Sequence, residues 1–113
     1  MSHSLADNND DKRLRLVLKF ARILLSDGRY KEAEELFIEV METKKRVLGE
    51  EHPDTLGSMA NLASTYRNQG RWNEAEKLDV QVIETRKRVL GDEHPDTLTS
   101  MANLASTYWN QGR

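Results

Sequence analysis

Residues 45–71 read KRVLGEEHPDTLGSMANLASTYRNQGR, and residues 87–113 read KRVLGDEHPDTLTSMANLASTYWNQGR. Pro53 falls on Pro95, a shift of 42 residues. Across the 27 aligned positions only Glu50/Asp92, Gly57/Thr99 and Arg67/Trp109 differ. A copy at a fixed period of roughly 20–50 residues is the signature of a repeat array, in which each unit buries its apolar face on the next.

Working outward from the copied stretch, the apolar periodicity predicts five helices. Leu14, Val17, Leu18, Ala21, Leu24 and Leu25 recur at three- and four-residue spacing and predict a helix over 11–26. Ala33, Leu36, Phe37, Val40, Met41, Val47 and Leu48 do the same over 30–48. Leu56, Met59, Leu62, Ala63 and Tyr66 mark 53–69, and Ala75, Leu78, Val82, Ile83, Val89 and Leu90 mark 72–90. Leu98, Met101, Leu104, Ala105 and Tyr108 mark 95–111. Single glycines close these helices and Pro53 and Pro95 open two of them. A second shift of 42 brings Gly28 onto Gly70 and Ala21 onto Ala63, so the first helix belongs to the same series. The order is A-B-A-B-A. Residues 1–10 are expected to be a flexible polar tail. The array is expected over 11–113: repeat one over about 11–52, repeat two over about 53–94, and a half repeat over 95–113.

Composition narrows the function. The net charge of −2 gives no reason to expect nucleic acid or an anionic membrane as partner. The absence of cysteine excludes disulfides and thiolate metal sites. No apolar run approaches the roughly 20 residues of a membrane span, and the N-terminus lacks a basic-then-apolar signal. The expected location is cytoplasmic, in an intracellular protein or a fragment of one. His52 and His94 each stand alone before a helix, so they are expected to cap it and not to bind metal. No nucleophile–base arrangement or phosphate loop is visible. The expectation is a non-enzyme with no cofactor.

The residues resemble the tetratricopeptide repeat, whose pattern is W-x2-L-G-x2-Y…A-x3-F. Here stand Met59-x2-Leu62-Ala63-x2-Tyr66 followed by Ala75-x3-Asp79, and Met101-x2-Leu104-Ala105-x2-Tyr108. The first copy has Val17-x2-Phe20-Ala21-x2-Leu24 and Ala33-x3-Phe37. The long period and the GEEHPDTL and GDEHPDTL junctions look like the kinesin-light-chain variant. They are also similar to the near-identical repeats that close fungal and bacterial NLR-like signalling ATPases. The resemblance implies an all-α, α-solenoid fold, a right-handed superhelix of antiparallel helical hairpins. It covers nearly the whole chain. Asp79 departs from the pattern where the family has a large aromatic, so either helix B rotates there or Asp79 sits at an edge in water.

The resemblance also implies a protein or peptide ligand bound on the concave face of the A helices. Carried over position by position, that groove holds Lys19, Arg22, Ala60, Asn61, Ser64, Arg67, Asn68, Asn103, Ser106, Trp109 and Asn110, with Leu18, Leu25, Ser26 and Ala102 beside them. Asn61 and Asn103 look like the family asparagine that bonds a peptide backbone, since a carboxamide both donates and accepts. Arg67 and Trp109 differ between otherwise matching copies, which suggests that they tune selectivity. Ala60, Ser64, Ala102 and Ser106 lack the groups of a carboxylate clamp. The alternative expectation is a homo-oligomer that self-associates through Met101, Leu104, Ala105 and Tyr108, the helix A face without a covering helix B.

Overall fold

The computed structural model describes residues 2–112, with side chains from residue 11 onward. It holds five helices in series: α1 (Ser2–Ser26), α2 (Tyr30–Leu48), α3 (Pro53–Asn68), α4 (Trp72–Leu90) and α5 (Pro95–Gln111). Each packs principally on its neighbours in sequence. The molecule measures 51 × 36 × 18 Å, so its short dimension is under two helix diameters. This is an all-α solenoid.

The turns explain why the hairpins recur. At the A-to-B turn, Arg71 N–H donates to Tyr66 O at 2.8 Å and Gly70 N–H to Arg67 O at 3.0 Å, with Gly70 at φ 74°. That pair of bonds satisfies the last carbonyls of α3 and needs a left-handed residue, which glycine supplies. The B-to-A joint is different. Gly91 takes φ 99° and ψ 161°, a region almost closed to residues with a Cβ.

The core follows the predicted stripes, with three corrections. Ala21, Leu24, Ala33, Phe37 and Leu62 form one buried cluster, and Leu56, Met59 and Val82 form a second. Val47, Leu48, Val89 and Leu90, predicted inward, are exposed. They lie in the last turn of each B helix, beyond the buried stretch that ends at Val40 in α2 and at Ile83 in α4. Leu98 and Met101 are exposed because no helix covers that face of α5 among the described residues. Finally, α1 begins at Ser2 and not at Asp11. No Gly or Pro separates the two positions, so nothing in the sequence stops the helix there.

Candidate functional site

The 42-residue shift sets the A helices in register. Lys19, Asn61 and Asn103 form one row, and Arg22, Ser64 and Ser106 the next. Leu62 of α3 shares a buried cluster with Ala21 and Leu24 of α1 and with Ala33 and Phe37 of α2. Lys19 and Arg22 are exposed and line a concavity on α1 with Lys12 and Arg15. Ala60, Asn61, Ser64 and Asn103 are half-buried, while Asn68, Ala102, Ser106 and Asn110 are exposed. The backbone carbonyls of Asn61 and Asn103 each accept from a threonine one turn on, Thr65 and Thr107, both at 3.1 Å. Their carboxamides take no hydrogen-bond partner among the described residues. Asn110 is already engaged, its Nδ2 donating to Ser106 O at 2.9 Å.

Arg67 does not face outward as its row suggests. Its Nη1 donates to both carboxylate oxygens of Asp79, at 3.2 and 2.9 Å. The Arg67 side chain is 15% exposed and that of Asp79 4%. Thr107 Oγ1 donates to the same carboxylate at 3.1 Å, so one buried group ties α3, α4 and α5 together. The expectation that Asp79 sits in water is therefore corrected. It is buried because Arg67, in the last turn of α3, reaches across to it. Burial raises the Asp79 pKa, and the Arg67 charge, Thr107 and the Arg67 hydrogen bonds pull it back only in part.

Repeat one solves the same contact with carbon. Its matching residues are Leu25 and Phe37, and Leu25 packs against the cluster that holds Phe37. Arg67 thus differs from Leu25 because Asp79 differs from Phe37. The sequence did carry this signal: positions 25 and 67 change together with positions 37 and 79. The Arg67/Trp109 difference is accordingly no independent mark of recognition. Trp109 itself is 82% exposed.

Sequence reading also missed the joint between repeats. Arg71 Nη1 donates to Glu34 Oε1 of the preceding repeat at 2.5 Å and to Gln69 Oε1 at 3.0 Å, and the guanidinium also pairs with Glu74. Its Cζ lies 4.5 Å from the centroid of the Tyr66 ring. Burial, then the Glu34 charge, raises the Tyr66 pKa. Tyr30, in the first turn of α2, is exposed. His52 and His94 are caps as expected: Nδ1 accepts from Asp54 N–H at 3.1 Å and from Asp96 N–H at 3.0 Å.

The last A helix stands apart. Leu56 and Met59 of α3 are 2% and 5% exposed, whereas Leu98 and Met101 of α5 are 51% and 43% exposed. Ala105 is exposed and Leu104 and Tyr108 are half-buried, and Tyr108 Oη donates to Glu76 at 3.4 Å. No helix among the described residues is long and apolar enough to cross a membrane.

Comparison with known proteins agrees with this geometry. The family model described as tetratricopeptide repeat matches residues 18–54, 55–96 and 97–113. The nearly identical TPR-like repeats of a Podosopora anserina protein described as a kinesin light chain superpose with a TM-score of 0.79 at 36% identity. That match covers 88% of this chain and 47% of the other. BtubC (BKLC) from P. vanneervenii shares the fold, with a TM-score of 0.76 at 19% identity over 87% of this chain and 39% of its own. A nucleotide-binding leucine-rich repeat (NLR)-like protein of Hyaloscypha variabilis is 59% identical over 32 residues. Those residues are 28% of this chain and 3% of that protein. The chain thus spans less than half the length of each of these three proteins.

Proposed function

The chain belongs to the tetratricopeptide repeat family, whose members generally mediate protein–protein interaction and are typically non-catalytic scaffolds, and we propose that it binds an extended peptide along its A helices. The observation that carries this reading is the pair Asn61 and Asn103. They are half-exposed carboxamides in one row, with no internal partner among the described residues. Each can donate to and accept from a peptide backbone. Ser64 and Ser106 flank them, and Lys19 and Arg22 extend the row with positive charge suited to acidic side chains. The groove is preformed by packed helices, so little receptor ordering opposes binding. Arg67 contributes only by holding α3 to α4. The short match within a much longer NLR-like protein supports a role as one part of a larger sensing or adaptor array.

A random-peptide display library screened on the full chain tests this. Selected peptides are expected to lose about tenfold or more in affinity on Asn61→Ala with Asn103→Ala, given about 1 kcal/mol per hydrogen bond lost. Helicity by circular dichroism should not change. Unaltered affinity in the double variant would remove the groove from the account.

A further inference from the structure

Inside the chain, the face that an A helix turns toward the preceding B helix carries small hydroxyl side chains. On α5 it holds Ser100, whose Oγ accepts from Arg86 Nη1 of α4 at 2.6 Å, and Thr107, whose Oγ1 donates to Asp79 of α4 at 3.1 Å. On α3 it holds Ser58 and Thr65, both buried. The 42-residue shift puts Leu16 and Ile23 of α1 in those places, with Phe20 between them where α3 has Leu62. Leu16, Phe20 and Ile23 are 68%, 56% and 53% exposed. A B helix seated on α1 as α4 sits on α5 would meet two large side chains where Ser and Thr leave room. The joint that delivers such a helix is replaced as well. Residues 49–52 turn the chain into α3 and residues 91–94 into α5, and the same shift maps that turn onto residues 7–10, which are helical within α1. The face of α1 is therefore not built as a junction between repeats.

Cations ring the same face. With about 3.6 residues per turn, Lys12 and Lys19 flank the apolar stripe on one side and Arg13 on the other, with Arg15 and Arg22 beyond the lysines. All five are exposed. Among the described side chains only Arg15 has an ion-pair partner, Asp11. No carboxylate lies between residues 12 and 26. The net charge of −2 averages over the whole chain and hides this local excess. The concavity beside the stripe is lined by α1 residues alone, so no second helix makes a groove there for a protein partner. We propose that α1 docks the chain onto an anionic lipid bilayer, lying in the plane of the interface. Leu16, Phe20 and Ile23 enter the acyl boundary and the flanking cations stay among the headgroups. A basic helix with an apolar stripe binds such a surface through both attractions together. Anionic headgroups draw in each Lys and Arg, and the long cationic side chains reach back to the phosphates. The Asn61–Asn103 row takes no part in this contact, which does not rest on it.

The test is sedimentation of the full chain with vesicles of phosphatidylcholine alone or of equal parts phosphatidylcholine and phosphatidylserine. A second readout is the emission of a Phe20→Trp chain that also carries Trp72→Phe and Trp109→Phe. The mixed vesicles should bind the chain at low salt and shift the Phe20→Trp emission to the blue, and added salt should release it. Phosphatidylcholine alone should leave it in solution. Lys12→Gln with Arg13→Gln should weaken binding about tenfold or more. Leu16→Ser with Ile23→Thr, which installs the residues of α3, should do the same. These four side chains are exposed, so both variants should keep their helicity. Asn61→Ala with Asn103→Ala should bind as the parent does, which separates this face from the groove. Several results would overturn the proposal: no binding to mixed vesicles, equal binding to phosphatidylcholine alone, or undiminished binding by either double variant. An unmoved Phe20→Trp emission in sedimented chain would place the contact elsewhere and overturn it too. So would a shift on concentrating the chain alone, which gives the face to a second copy. A shift with an acidic amphipathic peptide but not with vesicles would give it to a protein partner.

Discussion

The hairpins α1–α2 and α3–α4 have the same turn and bury alanines at matching positions, Ala21 with Ala63 and Ala33 with Ala75, yet they close one shared contact by opposite means. Repeat one uses Leu25 and Phe37. Repeat two uses Arg67 and Asp79, helped by Thr107 from the next helix. Thr65, the counterpart of Thr107 facing repeat one, donates only to its own helix at Asn61 O. Thr107 has one proton and two acceptors within reach, Asp79 and Asn103 O. The backbone therefore does not dictate the chemistry at this point. The pair does, and each member is tolerable only with its mate.

The largest effect should come from breaking the ionic pair. Arg67→Ala leaves Asp79 buried and charged, and removal of one partner from a buried pair typically costs about 3–5 kcal/mol. The lower end, about 3 kcal/mol, is expected here because the arginine keeps some contact with water. Chemical denaturation followed by circular dichroism reads it. The loss should shrink in acid, where Asp79 can neutralise itself by taking up a proton.

Converting repeat two into repeat one sharpens the comparison. Arg67→Leu with Asp79→Phe installs the pair of the first hairpin, and Thr107 keeps Asn103 O as acceptor. Replacement of a buried ion pair by apolar residues of similar size is often neutral or stabilising by about 1–4 kcal/mol. The sign can be checked against pH. Asp79 has its pKa raised above the ordinary value of 3.8, so it holds its proton more tightly folded than unfolded. Its contribution favours the fold below that ordinary value and is lost as pH rises through the raised one. The advantage of the double variant should thus be greatest at neutral pH, narrow as pH falls through the raised pKa, and level off below the ordinary value of 3.8. Other carboxylates are common to both chains and cancel in the difference. An advantage that grew in acid would show that Arg67 fully compensates Asp79.

A smaller effect is expected where the two repeats agree. Gly49 and Gly91 share one backbone state, φ 98° and ψ 162° against φ 99° and ψ 161°. A Cβ at either would meet no atom within 4 Å, so a substitution is opposed by the backbone alone. Gly49→Ala and Gly91→Ala should each lower stability by about 1–3 kcal/mol. Thermal melts of the two single variants measure it. Equal losses would show that the joint is one repeated part, whereas unequal ones would show that the packing around it matters.

These contrasts mark what could be read from the chain. The limits of α2, α4 and α5 were legible because Gly, Pro and a capping histidine punctuate them. The start of α1 was not, because no breaker lies before Asp11. The burial of Leu56 and the exposure of Leu98 could not be told apart from residue type, since the two helices are nearly identical and only their neighbours differ. That Asn61 and Asn103 hold equivalent positions in the repeat was legible from the period alone. The orientation of Arg67 was not, because a row assigns each residue to a face, while Arg67 is long enough to leave that face for a buried carboxylate.

The smallest effect concerns the caps, and it too separates copies of one sequence. His52 and His94 each accept the N–H two residues on through Nδ1, which places the ring proton on Nε2. Loss of a capping acceptor costs about 1 kcal/mol. The two sites should nonetheless respond differently. The first turn of α3 is held between α2 and α4, while α5 packs principally on α4 alone. His94→Ala should therefore fray α5, speeding hydrogen exchange of its first-turn amides more than His52→Ala does in α3. His94→Asn keeps a side-chain acceptor near the same N–H and should restore most of the protection. If both alanine variants fray their helices equally, the second neighbour contributes nothing to the helix start, and the cap acts alone in both copies.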